Sequence, residues 1–342
     1  MPWNKALVVM AITLLFGIIC ARVLMPLFRK LKTGKFDWYI GDRFNNDGSE
    51  PLFGGIAIFL PLCLGTMLGI GSVRQDIGMD GGLKILAALV LCLMLMLIGC
   101  AEDYNHDVKG SVVGIKLSRK IAVEFLLCLT FLLFLRTFCG DKTTVVLLPF
   151  RLGYVNFGLI YYPITALGMT AVVKAVKLHD CFGYDTKSSV DGLCTLSMLI
   201  CSLFFAVYGS ICNDVYLSCF GYASAAACAG FLVWNISPSK MLCGQSGGLM
   251  LGGVLVAMAV VSKLHLLVFI AGAGFLIDGI CTLVQYAVFR KSKRLVFKGS
   301  SLHAHLRAKN YSDYKIMLIF LAIDIVGGIS GAVFVIYSTK IV

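Results

Sequence analysis

Charge is scarce in this chain. Only 14% of its 342 residues are Asp, Glu, Lys or Arg, where a soluble domain carries about 25%. So little charge cannot clothe a water-facing surface of this size, which excludes an ordinary soluble domain. Acid is scarcer than base, with 18 Asp and Glu against 30 Lys and Arg. Histidine is scarce too, with five in all. No Cys-x-x-Cys pair occurs among the 14 cysteines. Most sit singly inside apolar runs, as do Cys63, Cys92, Cys128, Cys201 and Cys228. They read as small buried hydrophobes, not as a disulfide or metal framework. There is no soluble domain, long linker or low-complexity tract, so residues 1–342 read as one integral-membrane domain.

What the chain has in abundance is apolar sequence, 59% of its residues. Runs near 20 residues recur from end to end, each long enough to cross a bilayer as a helix. In lipid the backbone must satisfy its own hydrogen bonds, so such runs imply helix. The expected fold is an all-α polytopic membrane protein of about ten spans, near 6–25, 52–71, 84–101, 119–137, 157–178, 193–211, 221–234, 247–262, 266–289 and 316–338. The first run lacks a small-residue cleavage site and reads as a membrane helix, not a cleaved signal.

Ten spans put both termini on one side. The loops on the other side, with the adjoining helix ends, hold 22 of the 30 cations. Lys and Arg favour cytoplasmic loops, so the rich side is cytoplasmic and both termini are extracytoplasmic. The same bias accounts for the net charge of +12 without nucleic acid as a partner. The expected location is the plasma (cytoplasmic) membrane. Polar residues fit for chemistry concentrate in the cytoplasmic loops, while the outer loops are short and plain.

Four stretches stand out. In "LIGCAEDYNHDVKG", Glu102 and Asp103 directly follow an apolar helix. Adjacent carboxylates at a membrane edge can hold Mg²⁺ or orient a phosphate, although a solvated helix end looks the same. In "VVKAVKLHDCFGYDTKSSVDGL", Lys174 and Lys177 share a helix face, with Asp180 just beyond and Asp191 further on. Such a mouth suits phosphate, and so do plain snorkelling lysines. In "WNISPSKMLCGQSGGLMLGG", Asn235 ends a helix, Pro238 breaks it, and "GQSGG" opens the next span. A helix N-terminus there offers amides to an anion, or it is a tight packed turn. In "KRLVFKGSSLHAHLR", His303 and His305 follow a basic run from Arg290. These can meet diphosphate or anionic lipid.

In this order the four stretches resemble the polyprenyl-phosphate sugar-1-phosphate transferases, from about residue 25 to 338. The family shows "GxxDDxxK" where this chain has "GCAEDYNHDVKG". It shows "NxxNxxDGxDGL" where this chain has "KAVKLHD" and then "VDGL". It shows "NxxPAxxFMGDxGSLxLGG" against "NISPSKMLCGQSGGLMLGG", and a three-histidine loop against "SLHAHLR". The resemblance implies transfer of a sugar-1-phosphate from a UDP-sugar to a polyprenyl phosphate at the cytoplasmic face, in cell-wall or envelope glycan synthesis. It implies Glu102, Asp103 and Asp180 as catalytic residues, with Lys174 and Lys177 at that centre. It implies Asn235, Gln245, His303 and His305 as substrate-binding residues. It implies Mg²⁺ as cofactor, with Asp103 and Asp180 as its ligands. It also admits a homodimer and contact with membrane lipid.

The departures bear on the metal. Gln245 stands where the family has the aspartate that ligates Mg²⁺, and Lys174 and Lys177 stand where it has asparagines. Together they shift the site by three units toward positive, which disfavours a dication. The expectation is a centre in which lysines, not metal, neutralise phosphate. The rival reading is a non-catalytic chain that keeps the fold to bind a lipid phosphate or a partner protein. A transporter is the third, disfavoured because intramembrane ionisable residues are few (Glu124, Asp278, Asp324).

Overall fold

The computed structural model describes residues 3–31, 50–72, 79–107, 116–141, 144–147, 154–179 and 190–339. Its helices are α1 (Trp3–Leu31), α2 (Gly54–Ser72), α3 (Met79–Asp107), α4 (Leu117–Phe138), α5 (Tyr161–His179), α6 (Leu193–Ile211), α7 (Val215–Asn235), α8 (Gly244–Val261), α9 (Leu267–Ala271), α10 (Ala273–Ser292), α11 (Leu302–Ala308) and α12 (Asp313–Thr339). Ten of the described helices are long and apolar enough to cross a membrane. This is an integral membrane protein, built from helices as the apolar runs require.

The expected spans differ from the helices mainly at their ends. The run 266–289 is divided, with α9 ending at Ala271 and α10 starting after Gly272. The connection from α4 to α5 carries a small antiparallel strand pair, β1 (Val145–Leu147) with β2 (Tyr154–Asn156), with Val146 opposite Val155. Nothing in its short, plain sequence announced it. The histidine stretch, expected as a loop, contains the two-turn helix α11, capped by the Ser301 hydroxyl, which accepts from Ala304 N.

Helix α8 is the centre of the bundle. It is apolar on all sides and buried along nearly its whole length, as a helix without a polar face must be. It packs against α2, α3 and α5. By contrast α1 turns Leu7, Val8, Leu15 and Ile19 outward, a lipid-facing surface. Small residues bring backbones together where lipid offers no hydrophobic drive between helices. One close approach is at Gly99 of α3. A Cβ there would lie 2.4 Å from Ser246 Cα at the start of α8. This contact sets the height of α8 against the end of α3, where Glu102 and Asp103 project.

Because the gap at Gly99 has backbone on its far side, Gly99→Val should destabilise the protein by about 1–3 kcal/mol through overpacking. Gly82, on the same helix, has nothing within 4 Å of an added Cβ. Gly82→Ala should therefore be neutral or gain about 0.5–1 kcal/mol from helix propensity. Thermal unfolding in detergent compares the two variants directly.

Candidate functional site

Antiparallel spans carry the C-terminal ends of α3, α5, α7 and α10 and the N-terminal ends of α4, α6, α8 and α12 to one end of the bundle. The polar stretches singled out from sequence meet there. Asp103 is fully buried. Its Oδ1 accepts from Gln245 N at 2.8 Å and its Oδ2 from Ser246 N at 3.0 Å. Helix α8 has no side-chain cap of its own, so the carboxylate supplies one from across the bundle and meets the positive end of the helix dipole. Gly244 makes room for it, with φ +71° and a notional Cβ 2.8 Å from Asp103 Oδ2. This stretch reads as amides for an anion or as a tight packed turn; in the structure the amides of Gln245 and Ser246 hold the Asp103 carboxylate.

Glu102 turns the other way, toward α4 and α5. It lies 2.8 Å from Lys177 Nζ and 3.2 Å from Lys120 Nζ. Lys174 reaches the wholly buried Glu124 at 2.6 Å. Lys174 and Lys177 are thus counterions of two glutamates. The expected three-unit positive shift left out Glu124 and Lys120. With them counted, Glu102, Asp103 and Glu124 face Lys120, Lys174 and Lys177, and the charges balance. Around Glu102 itself, two ammoniums share one carboxylate, and their side chains keep 18% and 17% of their surface exposed. That edge can accept an anion.

The same contacts test the fit of Mg²⁺. The ion needs oxygen ligands in near-ideal octahedral geometry. Both Asp103 oxygens are turned to backbone amides, Glu102 faces two ammoniums, and position 245 carries no charge. The described residues do not fit a Mg²⁺ site. Asp180, the other expected ligand, lies outside the described residues.

Two expected binding residues prove to be internal braces. Asn235 is buried; its Oδ1 accepts from Thr195 Oγ1 at 2.8 Å and its Nδ2 donates to Met241 O at 3.0 Å. It ties the turn before α8 to α6. His303 is wholly buried, so in this conformation it cannot reach a nucleotide sugar as expected. Its Nδ1 lies 2.5 Å from Asp278 Oδ2, and His179 Nδ1 lies 2.5 Å from the same oxygen. His305 Nδ1 accepts from Lys298 N at 3.0 Å and shapes its own loop. Gln245 contributes its backbone amide to the Asp103 cap.

With this geometry in hand, likeness to known proteins becomes informative. The profile of glycosyl transferase family 4 matches residues 85–263, just over half of the chain. The chain belongs to glycosyl transferase family 4. It is 28% identical over 333 residues to a phospho-N-acetylmuramoyl-pentapeptide-transferase of Clostridium beijerinckii, covering 96% of each chain. It is 27% identical over 310 residues to the protein of that name from Caldicellulosiruptor bescii, covering 90% of this chain and 91% of the relative. For the Clostridioides difficile protein of that name the figures are 26%, 92% and 93%. The family segment holds the Asp103 cap and the Glu102 ion pairs, and ends before Asp278 and His303.

Sequence reasoning about this family 4 member missed Lys120, Glu124 and Asp278 as site residues. A signal existed for the two acids: an ionisable residue inside a membrane span is expensive and needs a named partner. Lys120 offered none, because its partner sits on another helix.

His265 lies at the opposite end. It shares a 2.5 Å hydrogen bond with the Tyr161 hydroxyl beside Asp141 and Lys263. Burial holds its imidazole down from 6.5 to about 4.

Two outcomes follow from these contacts. Asp103→Ala should cost about 2 kcal/mol of stability by uncapping α8, and Asp103→Asn less, read from thermal unfolding in detergent. His265 binds a proton less readily folded than unfolded, so its contribution to stability falls as pH drops from 6.5 toward 4. Melting temperatures at pH 7.5 and 4.5 should therefore diverge more for the parent than for His265→Asn.

Proposed function

We propose that the protein transfers a sugar-1-phosphate from a UDP-sugar to a polyprenyl phosphate at the cytoplasmic face of the plasma membrane. The bundle end with the ion pairs faces the cytoplasm, and both termini lie outside. Support for that orientation comes from the sequence, in which the loops and helix ends assigned to this side hold 22 of the 30 cations. Residues 1–342 act as one domain, a reading supported by a core that draws on helices α1 to α10. Relatives named for phospho-N-acetylmuramoyl-pentapeptide transfer make UDP-N-acetylmuramoyl-pentapeptide the first donor to test.

The observation that carries the reading is the pair of half-buried ammoniums, Lys120 and Lys177, sharing Glu102 beside the capped start of α8. In the reaction a lipid phosphate oxygen forms a bond to the sugar-linked phosphorus. The bond from that phosphorus to the UMP oxygen breaks, and UMP leaves with the electron pair. Such transfer needs alignment and neutralised oxygens more than covalent help. Lys120 and Lys177 neutralise phosphate oxygens as point charges. The reaction uses the one positive charge that Glu102 leaves unmatched. Lys174 does not join them, because Glu124 has no other counterion among the described residues; Lys174→Asn would leave a buried carboxylate unpaired, at about 3–5 kcal/mol.

One observation favours a second reading. Glu102, Asp103 and Glu124 each already have a protein partner, which suits a chain that binds a lipid phosphate without turnover. The test is UMP release from UDP-N-acetylmuramoyl-pentapeptide with polyprenyl phosphate, with and without EDTA. Release that persists in EDTA and falls at least about tenfold in Lys177→Ala, the loss of one charged hydrogen bond, is expected. Glu102 keeps Lys120 in that variant, so the fold survives. Release abolished by EDTA would sink the lysine mechanism. Retention of labelled polyprenyl phosphate without UMP would establish the binding reading instead.

A further inference from the structure

On the far side of α5 from the ion pairs, His179, Asp278 and His303 converge from α5, α10 and α11. All three side chains are fully buried. One nitrogen from each imidazole and one carboxylate oxygen lie within 4.8 Å of one another. Both histidines present Nδ1 to the same Asp278 Oδ2.

The three side chains are also held by further contacts. His179 Nε2 is 3.3 Å from Ser197 Oγ. Ser301 Oγ lies against the His303 ring, 3.1 Å from Nδ1 and 3.3 Å from Nε2. Asp278 Oδ1 accepts from Leu302 N at 3.0 Å and His303 N at 3.2 Å. Orienting hydrogen bonds on the outer atoms, as on His179 and Asp278, are the pattern that surrounds protein metal sites. Charge points the same way. The buried Asp278 carboxylate shares an apolar interior with His179, which packs on Phe275 and Phe320, and an unmatched buried charge there is costly. A divalent cation matches that charge while leaving the imidazoles neutral, the state in which they bind metal.

We propose that His179, Asp278 and His303 form a structural site for a divalent transition metal of the zinc class. Two imidazoles and a carboxylate suit Zn²⁺, and oxygen-seeking Mg²⁺ does not match the nitrogen donors. Tetrahedral Zn²⁺ with bonds of about 2.0–2.1 Å sets its ligand atoms about 3.3 Å apart. The present contacts of 2.5 Å open to that by side-chain rotation. The ion ties α11 and the basic segment before it to the membrane bundle. It takes no part in the transfer reaction, and the inference does not rest on that reaction.

The test uses the full chain in detergent, loaded with Zn²⁺, washed on a column and analysed for metal. The parent should retain one more zinc per chain than the double variant His179→Ala/His303→Ala, while His265→Ala should match the parent. Equal retention by parent and double variant would overturn the site and leave a purely hydrogen-bonded His–Asp–His cluster. Should the double variant fail to fold, Co²⁺ loading of the parent decides. Tetrahedral nitrogen–oxygen bands support the proposal, while a thiolate charge-transfer band, or no tetrahedral spectrum, refutes it. As a second readout, chelation should raise the rate of tryptic cleavage between Arg290 and Arg307 severalfold; an unchanged rate counts against a structural metal.

Discussion

The polar end of this protein depends on one carboxylate. Asp103 sits at the end of α3, yet its two oxygens cap α8, more than 140 residues further along the chain. A buried helix start leaves backbone amides that water cannot reach. In this bundle α8 is also the central helix, so its N-terminus has to be satisfied from inside the protein. Asp103 does this and thereby fixes the register of α3 against α8. Gly99 and Gly244 are the two places where the backbone makes that approach sterically feasible. Glu102 is then forced to the opposite side of α3, where only α4 and α5 can answer its charge.

From that constraint the ion pairs follow. Glu102 and Glu124 on neighbouring helices draw Lys120, Lys177 and Lys174 inward; with Asp103 counted the cluster is neutral, and one ammonium at Glu102 is locally unmatched. Among the described residues this balance does not offer the oxygen-rich setting that Mg²⁺ needs. The chain keeps a cationic edge beside a fixed helix start. The departures at 174, 177 and 245 are therefore best read together. Replacing asparagines with lysines required carboxylates to hold them, and Glu102 and Glu124 fill that role. The histidine loop departs in a parallel way. His179, on α5, gives His303 an internal partner through Asp278 and draws the loop into the bundle.

How much of this was legible beforehand depended on the range of the interaction. The ten spans follow from hydrophobicity alone, because lipid leaves a long apolar segment no alternative to helix. The family followed from ordered motifs, each weak by itself. The importance of Glu102, Asp103, Lys174 and Lys177 was visible in "CAEDYN" and "VVKAVK", although their roles were not. Reading Lys174 and Lys177 as surplus positive charge failed because Glu124 lies 50 residues away on α4. His303 looked like a ligand-facing histidine because a sequence shows a basic loop but not which of its side chains is turned inward.

The sequence by itself determined the membrane class, the number of spans and the end of the bundle where polar chemistry gathers. Those are set by composition and by local hydrophobic length, which act within single segments. Only the tertiary structure decided which charges neutralise which, that the α8 amides are already occupied, and that three side chains from α5, α10 and α11 meet in one buried pocket. Electrostatic pairing in a low-dielectric interior is decided by a few ångströms between side chains on different helices, and no spacing along the chain encodes that distance.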